Sequence, residues 1–181
     1  SFCNNFITSA EMHFSMDSKE KQNSLEKTTL FKAWKKEHAD AYLVHFLWFG
    51  AEEVSIGYYD QKADAITTFQ CGEEITKTED TEIFKEQKTI PVLAVEKVTI
   101  SCSRAREIAE TRRKQNYPHD APTKEIIILQ TINNNPTYNM SIVTNTFRLI
   151  TIHINAETGA VEEEKIRALM DFVETIEKKI S

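Results

Sequence analysis

The sequence predicts an α+β protein, with two αβββ repeats whose antiparallel sheet or sheets are packed by helices, followed by a C-terminal amphipathic helix. Three observations carry this reading. Helical apolar spacing precedes each cluster of strand-like segments. Those segments alternate or run apolar for under ten residues and stop at polar turn clusters. Finally, Ile166, Leu169, Met170, Val173, Ile176 and Ile180 form the clearest amphipathic stripe in the chain.

Residues 1–22 are polar with scattered Phe and read as a flexible arm. Met16, followed by Asp17-Ser18-Lys19, reads as an alternative natural start, with residues 1–15 an extension. Asn23 stands three before Glu26, the spacing of a capping box, and Leu25, Leu30, Phe31 and Trp34 extend a helix over 24–38. Residues 41–49 are apolar on both parities, which suits a central strand covered on both faces. Val54, Ile56 and Tyr58 alternate in a half-buried strand, Asp60–Asp64 is a turn, and 65–70 is a third strand. Residues 72–99 read as a charged connection that holds at most one irregular strand, and Pro91 argues against a central one. Ser101 offers an N-cap to a helix carrying Ala105, Ile108 and Ala109. Strands follow at 124–132, around 138–142 and at 146–155, with turns at Asn133–Pro136 and Ala156–Gly159. The organisation is therefore 1–22 arm, 23–71 first repeat, 72–99 connection, 100–163 second repeat and 162–181 terminal helix, in one compact domain overall.

Composition narrows the function classes. Of 181 residues, 22 are basic and 28 acidic, a net charge of −6, so no general field attracts a nucleic acid backbone. With four Gly and four Pro, linker-like and collagen-like readings are excluded. No stretch approaches the ~20 apolar residues of a membrane span. The three cysteines, Cys3, Cys71 and Cys102, have neither disulfide-framework nor zinc-site spacing and read as reduced thiols of a cytoplasmic protein. An extracytoplasmic setting follows if a signal peptide was removed ahead of Ser1.

Two segments suggest duplication. Gly57-Tyr-Tyr-Asp60-Gln-Lys-Ala-Asp64-Ala65-Ile66 parallels Ile152-His-Ile-Asn155-Ala-Glu-Thr-Gly159-Ala160-Val161. In both, an apolar strand ends in Asp or Asn, whose side chain suits a turn start. The second half resembles the PepSY domain, through the helix start Ile100-Ser-Cys-Ser-Arg-Ala105-Arg-Glu-Ile-Ala109 and the closing hairpin Ile152-His-Ile-Asn155-Ala156-Glu-Thr158-Gly159-Ala160-Val161. Asn155 stands where that family usually has Asp, and the first repeat lacks the Thr-Gly pair. The resemblance implies a module that binds or inhibits peptidases or binds at the cell envelope, and implies no catalytic set.

The candidate sites follow. Trp48, Tyr59 and Tyr138 lie on strands and would form an aromatic binding surface on any sheet face left open by the helices. Cys102, in the first turn of a helix near Arg104 and Arg106, has the surroundings of a reactive thiol. His13, His38, His45, His119 and His153 have no metal-site spacing, and no phosphate loop is present, so no metal or cofactor is expected. Arg104, Arg106, Arg112, Arg113 and Lys114 interleave with Glu107 and Glu110, as on a solvated, ion-paired helix face. The expected function is a non-enzymatic module that recognises a protein or peptide through a sheet face or edge, in the manner of a peptidase inhibitor. Two alternatives are a cystatin-like pocket for a small molecule, using His45 or His153 with a carboxylate, and a structural homodimer through the last helix.

Overall fold

The computed structural model describes residues 18–50, 54–80 and 90–171. Helices α1 (Ser18–Glu26) and α2 (Thr29–Glu37) precede a meander of β1 (Tyr42–Phe49), β2 (Val54–Asp60), β3 (Ala65–Cys71) and β4 (Ile75–Asp80). A 3-10 turn (Val95–Lys97) and helix α3 (Cys102–Asn116) lead to a second meander, β5 (Pro122–Ile132), β6 (Asn135–Thr144), β7 (Arg148–Asn155) and β8 (Val161–Ala168). The strands form one eight-stranded sheet in the order β4-β3-β2-β1-β5-β6-β7-β8, and every neighbouring pair is antiparallel. The two meanders meet at the centre, where Leu47 lies opposite Ile128 and Trp48 opposite Ile127.

Alternation along each strand sorts side chains to two faces. One face carries Phe46, Trp48, Ile56, Tyr58, Phe69, Ile127, Leu129, Tyr138, Met140, Ile150, Ile152 and Ile154, all buried in a single cluster. The helices cover this face. Phe31 and Trp34 of α2 meet Tyr58 and Phe69 with ring centroids 4.9–5.7 Å apart. Ala105 and Ala109, small enough to let α3 lie close, are 0% and 1% exposed. Removing Trp34 or Phe31 from such a layer would cost about 3–5 kcal/mol.

Local chemistry fixes the ends of the helices. Ser101 Oγ accepts from Arg104 N at 3.1 Å, the N-cap that the sequence predicts. The first helical segment differs from its prediction. Asn23 is not an N-cap but lies inside α1, and the chain breaks at Thr28, whose Oγ1 accepts from Phe31 N at 3.2 Å to start α2. Of the predicted arm, residues 18–22 are helical and 1–17 lie outside the described residues.

The one strand that the sequence allows within the charged connection is β4, residues 75–80, paired in regular register along β3 from Cys71–Ile75 to Ile66–Asp80. One further correction concerns a strand. Residues 162–168 of the predicted C-terminal helix are strand, with Ile166 opposite Ile150 and Glu164 opposite Ile152. The open edge of β7 offers a row of ladder bonds, and that pairing overrides the helical propensity of Glu-Glu-Glu-Lys. Helical backbone begins only at Leu169, and residues 172–181 lie outside the described residues. Each meander thus has four strands rather than three.

The two hairpins aligned in the sequence share one turn design. Asp60 Oδ1 accepts from Lys62 N (2.8 Å) and Ala63 N (3.3 Å), and Asn155 Oδ1 accepts from Glu157 N (2.9 Å) and Thr158 N (3.1 Å). In each the fourth residue after the Asp or Asn has positive φ, Asp64 at 52° and Gly159 at 77°. They stand at different places in the meanders, however. Asp60 closes the second strand of its meander and Asn155 the third of its own. Their likeness is therefore that of a turn solution and not of equivalent position.

Candidate functional site: the sheet face away from the helices

The opposite face is built from the other parity of the same strands. At its centre Leu47 and Phe49 of β1 lie opposite Ile128 and Ile126 of β5, a four-residue apolar patch. Phe49 is 46% exposed. The other three are half-buried, and none of the four belongs to the core cluster. Polar side chains surround them. Ser55 pairs with Leu47, Ser141 with Ile126 and Asn139 with Ile128, and the row continues from Asn139 to His153 and from Ser141 to Thr151.

Three groups on this face have distinctive surroundings. Asn139 Oδ1 is buried with no hydrogen-bond donor. His153 Nδ1 lies 2.9 Å from Glu163 Oε2, and Glu163 is also paired with Lys165. The Lys165 hydrogen bond leads the influences that hold the Glu163 carboxyl below its ordinary range. His45 sits flat on Gly57, its cross-strand partner, and burial lowers its pKa to about 4. His45 and His153 do not converge, because β1 and β7 are separated by β5 and β6.

The predicted aromatic surface is corrected by parity and burial. Trp48 (5% exposed) and Tyr138 (0%) point to the helix side, their rings 6.3 Å apart, and are core. The Tyr138 hydroxyl donates to Ile100 O at 2.8 Å, which satisfies its one polar group inside. Tyr59 does lie on the opposite face, but it is 1% exposed and donates to Asp64 Oδ1. The residue missed is Phe49. Its signal was present in the sequence, since it neighbours Trp48 and so must take the other face.

Cys102 is likewise corrected. Burial pushes its thiol up to about 11, and the nearby Arg106 only partly opposes that. Arg106 is itself committed to Glu125 (2.7 Å) and to Gly50 O. A thiol so placed is protonated at neutral pH and is a poor nucleophile. Of the basic residues of α3, Arg104 with Glu107 and Lys114 with Glu110 pair on the solvated face as read, whereas Arg113, also on Glu110, is buried, and Arg106 and Arg112 reach Glu125 and Glu164 of the sheet. Among the described residues no cluster could hold a metal ion, and no helix is long and apolar enough to cross a membrane. A shallow depression lined by Glu26, Phe31, Lys32, Lys35 and Lys36 lies on the outside of α1 and α2.

No protein-family model and no curated protein matches the chain. A crystal structure of a candidate lipoprotein, CD1622, from Clostridium difficile 630 is similar with a TM-score of 0.47 and 11% sequence identity, over 76% of this chain and 90% of that one. A likeness of that size carries over neither fold nor function.

Proposed function

We propose that the protein is a non-enzymatic binding module whose sheet face away from the helices recognises a protein or peptide. The observation that supports this is the Phe49–Leu47–Ile126–Ile128 patch at the middle of the sheet, an apolar centre with a hydroxyl, amide and imidazole surround. Apolar centre and polar rim is the anatomy of a protein interface. The face is favoured over the edges. The outermost strands carry Lys77 and Glu79 in β4 and Glu162, Glu163, Glu164, Lys165 and Arg167 in β8, and such charges discourage strand addition.

The wider reading is that of a PepSY-like chain built by duplication, with a peptidase-inhibitor-like role. It is supported by the recurrence of a helical segment followed by a four-stranded meander, and by the Ser101 cap and Asn155 turn at the places the resemblance requires. The test is quantitative affinity capture with three immobilised forms: the wild type, Phe49→Asp, and Lys32→Glu on the helix side. Circular dichroism first establishes equal folding. A partner retained by the wild type and Lys32→Glu but lost by Phe49→Asp supports the reading. Equal retention by all three refutes it.

A further inference from the structure

Beyond β8 the chain turns helical at 169–171, and the sequence continues the helical spacing through Phe172, Val173, Ile176 and Ile180. At about 100° per residue, Leu169, Phe172, Val173, Ile176 and Ile180 fall on one side of such a helix, Met170 at its flank and Asp171 opposite. The described first turn has the matching burial. Leu169 is half-buried, while Met170 (69% exposed) and Asp171 are exposed. The apolar side therefore faces the protein where the helix begins. That starting point is fixed by the turn between β6 and β7, where Phe147 takes φ of 57° and is 76% exposed. Leu169 N donates to Phe147 O at 2.9 Å.

From there an apolar path crosses the sheet on the face away from the helices. Arg167, two residues before Leu169, lies opposite Leu149 of β7, and Leu149 lies opposite Val143 of β6. Val143 is one diagonal step from Ile126 of β5, and Ile126 lies opposite Phe49 of β1. Leu149 is buried and Val143 half-buried, yet neither belongs to the core cluster. In the strand order β1-β5-β6-β7 the path covers three strand spacings, about 14 Å. A helix from Leu169 to Ile180 rises about 16 Å. Its starting point, its length and its apolar side all suit that path.

From this geometry we propose that residues 169–181 form a helix that lies across the path and covers the Phe49 patch from within the same chain. A segment tethered at the edge of the face has an effective concentration of about millimolar, so it outcompetes a second copy of the chain at ordinary protein concentrations. The consequence for regulation rests on the binding function proposed above. A partner reaches Phe49 by displacing the helix, and its apparent affinity is reduced by the fraction of molecules in which the face is open.

The test is disulfide trapping in the full chain. Phe49→Cys is combined either with Ile180→Cys, on the apolar side, or with Lys178→Cys, on the opposite side, and the thiols are oxidised with diamide. Peptide mass spectrometry separates the new bridge from products of Cys3, Cys71 and Cys102. The bridge from 49 to 180 should form within one chain about tenfold faster than that from 49 to 178, because only the first pair of thiols is held in line. A second readout keeps Phe49 in place. The dye 1-anilinonaphthalene-8-sulfonate reports exposed apolar surface. It should fluoresce several-fold more with Ile176→Asp than with the wild type, and the gain should vanish in Phe49→Asp/Ile176→Asp, with equal folding established by circular dichroism. Equal rates for the two bridges, or the absence of both, overturns the proposal. So does dye fluorescence that Ile176→Asp leaves unchanged. A 49–180 bridge found only between two chains overturns it in favour of a second copy as the occupant. Failure of the binding function is read separately, as equal capture by the wild type and Phe49→Asp, and leaves the trapping result standing.

Discussion

Gly57 is the position where one added methyl group should be felt most. A Cβ built there would lie 2.2 Å from His45 Cε1, 2.5 Å from Nε2 and 2.8 Å from Nδ1. None of these distances is tolerable, so the imidazole must leave its seat between β2 and β5. Overpacking of this kind costs about 1–3 kcal/mol. Against it stands the gain of replacing glycine by alanine within a strand, about 0.5–1 kcal/mol. Gly57→Ala should therefore destabilise the wild type by about 1–2 kcal/mol. In a His45→Ala background the obstacle is gone, and the same substitution should stabilise by about 0.5–1 kcal/mol. The assay is urea unfolding of all four proteins of the cycle, followed by tryptophan fluorescence. A coupling of about 2 kcal/mol is expected. If Gly57→Ala has the same effect in both backgrounds, the close packing of His45 on the glycine is refuted.

Further expectations rest on titration and burial. The folded-state pKa of His45 is lowered to about 4 from 6.5, so between those values the unfolded chain binds the extra proton. Stability from this group is fully present above pH 6.5 and declines as pH falls toward 4, by up to about 3 kcal/mol. Denaturant midpoints across that range should slope for the wild type and flatten for His45→Ala. Asp120 is pushed up by burial, but hydrogen bonds from Thr146 and Arg148 outweigh that and hold it below the ordinary carboxylate range. Asp120→Ala should cost about 1–3 kcal/mol at pH 7, measured by urea unfolding, because the Thr144 and Thr146 hydroxyls lose their buried acceptor and the tie to Arg148 is removed. Cys102 should react slowly with iodoacetamide in the folded protein and readily in urea, as read by peptide mass spectrometry.

The sequence made the sheet legible where alternation and turn chemistry agree. Asp60 and Asn155 mark turns and Ser101 marks a helix start, and each is found as read, whereas the strand that Val54, Ile56 and Tyr58 mark as half-buried is buried at all seven positions of Val54–Asp60. Residues 162–168 read as helix because Ile166 falls in a helical stripe with Leu169, Met170 and Val173, while residues 161–168 fit an edge strand equally. Only the open ladder of β7, a long-range fact, decides between them. The capping box at Asn23 failed for a similar reason. Thr28, five residues on, starts the segment that presents Phe31 and Trp34 to the core, and tertiary burial chose the break.

The aromatic site illustrates a sharper limit. Residues 41–49 are apolar on both parities, so composition shows that both faces of β1 are apolar but not which face the helices take. Of the neighbours Trp48 and Phe49, Trp48 is the residue more worth burying. The larger ring repays coverage best, and it is 5% exposed whereas Phe49 is 46% exposed. The same reasoning applies to Tyr138, which is 0% exposed with its hydroxyl satisfied on Ile100 O. An apolar side chain that stays outside does so against that gradient, and Phe49 and Phe147 both do. Phe147 does so in a strained conformation as well. Where a fold leaves a large ring uncovered while burying its neighbour, the uncovered ring is the better place to look for a partner.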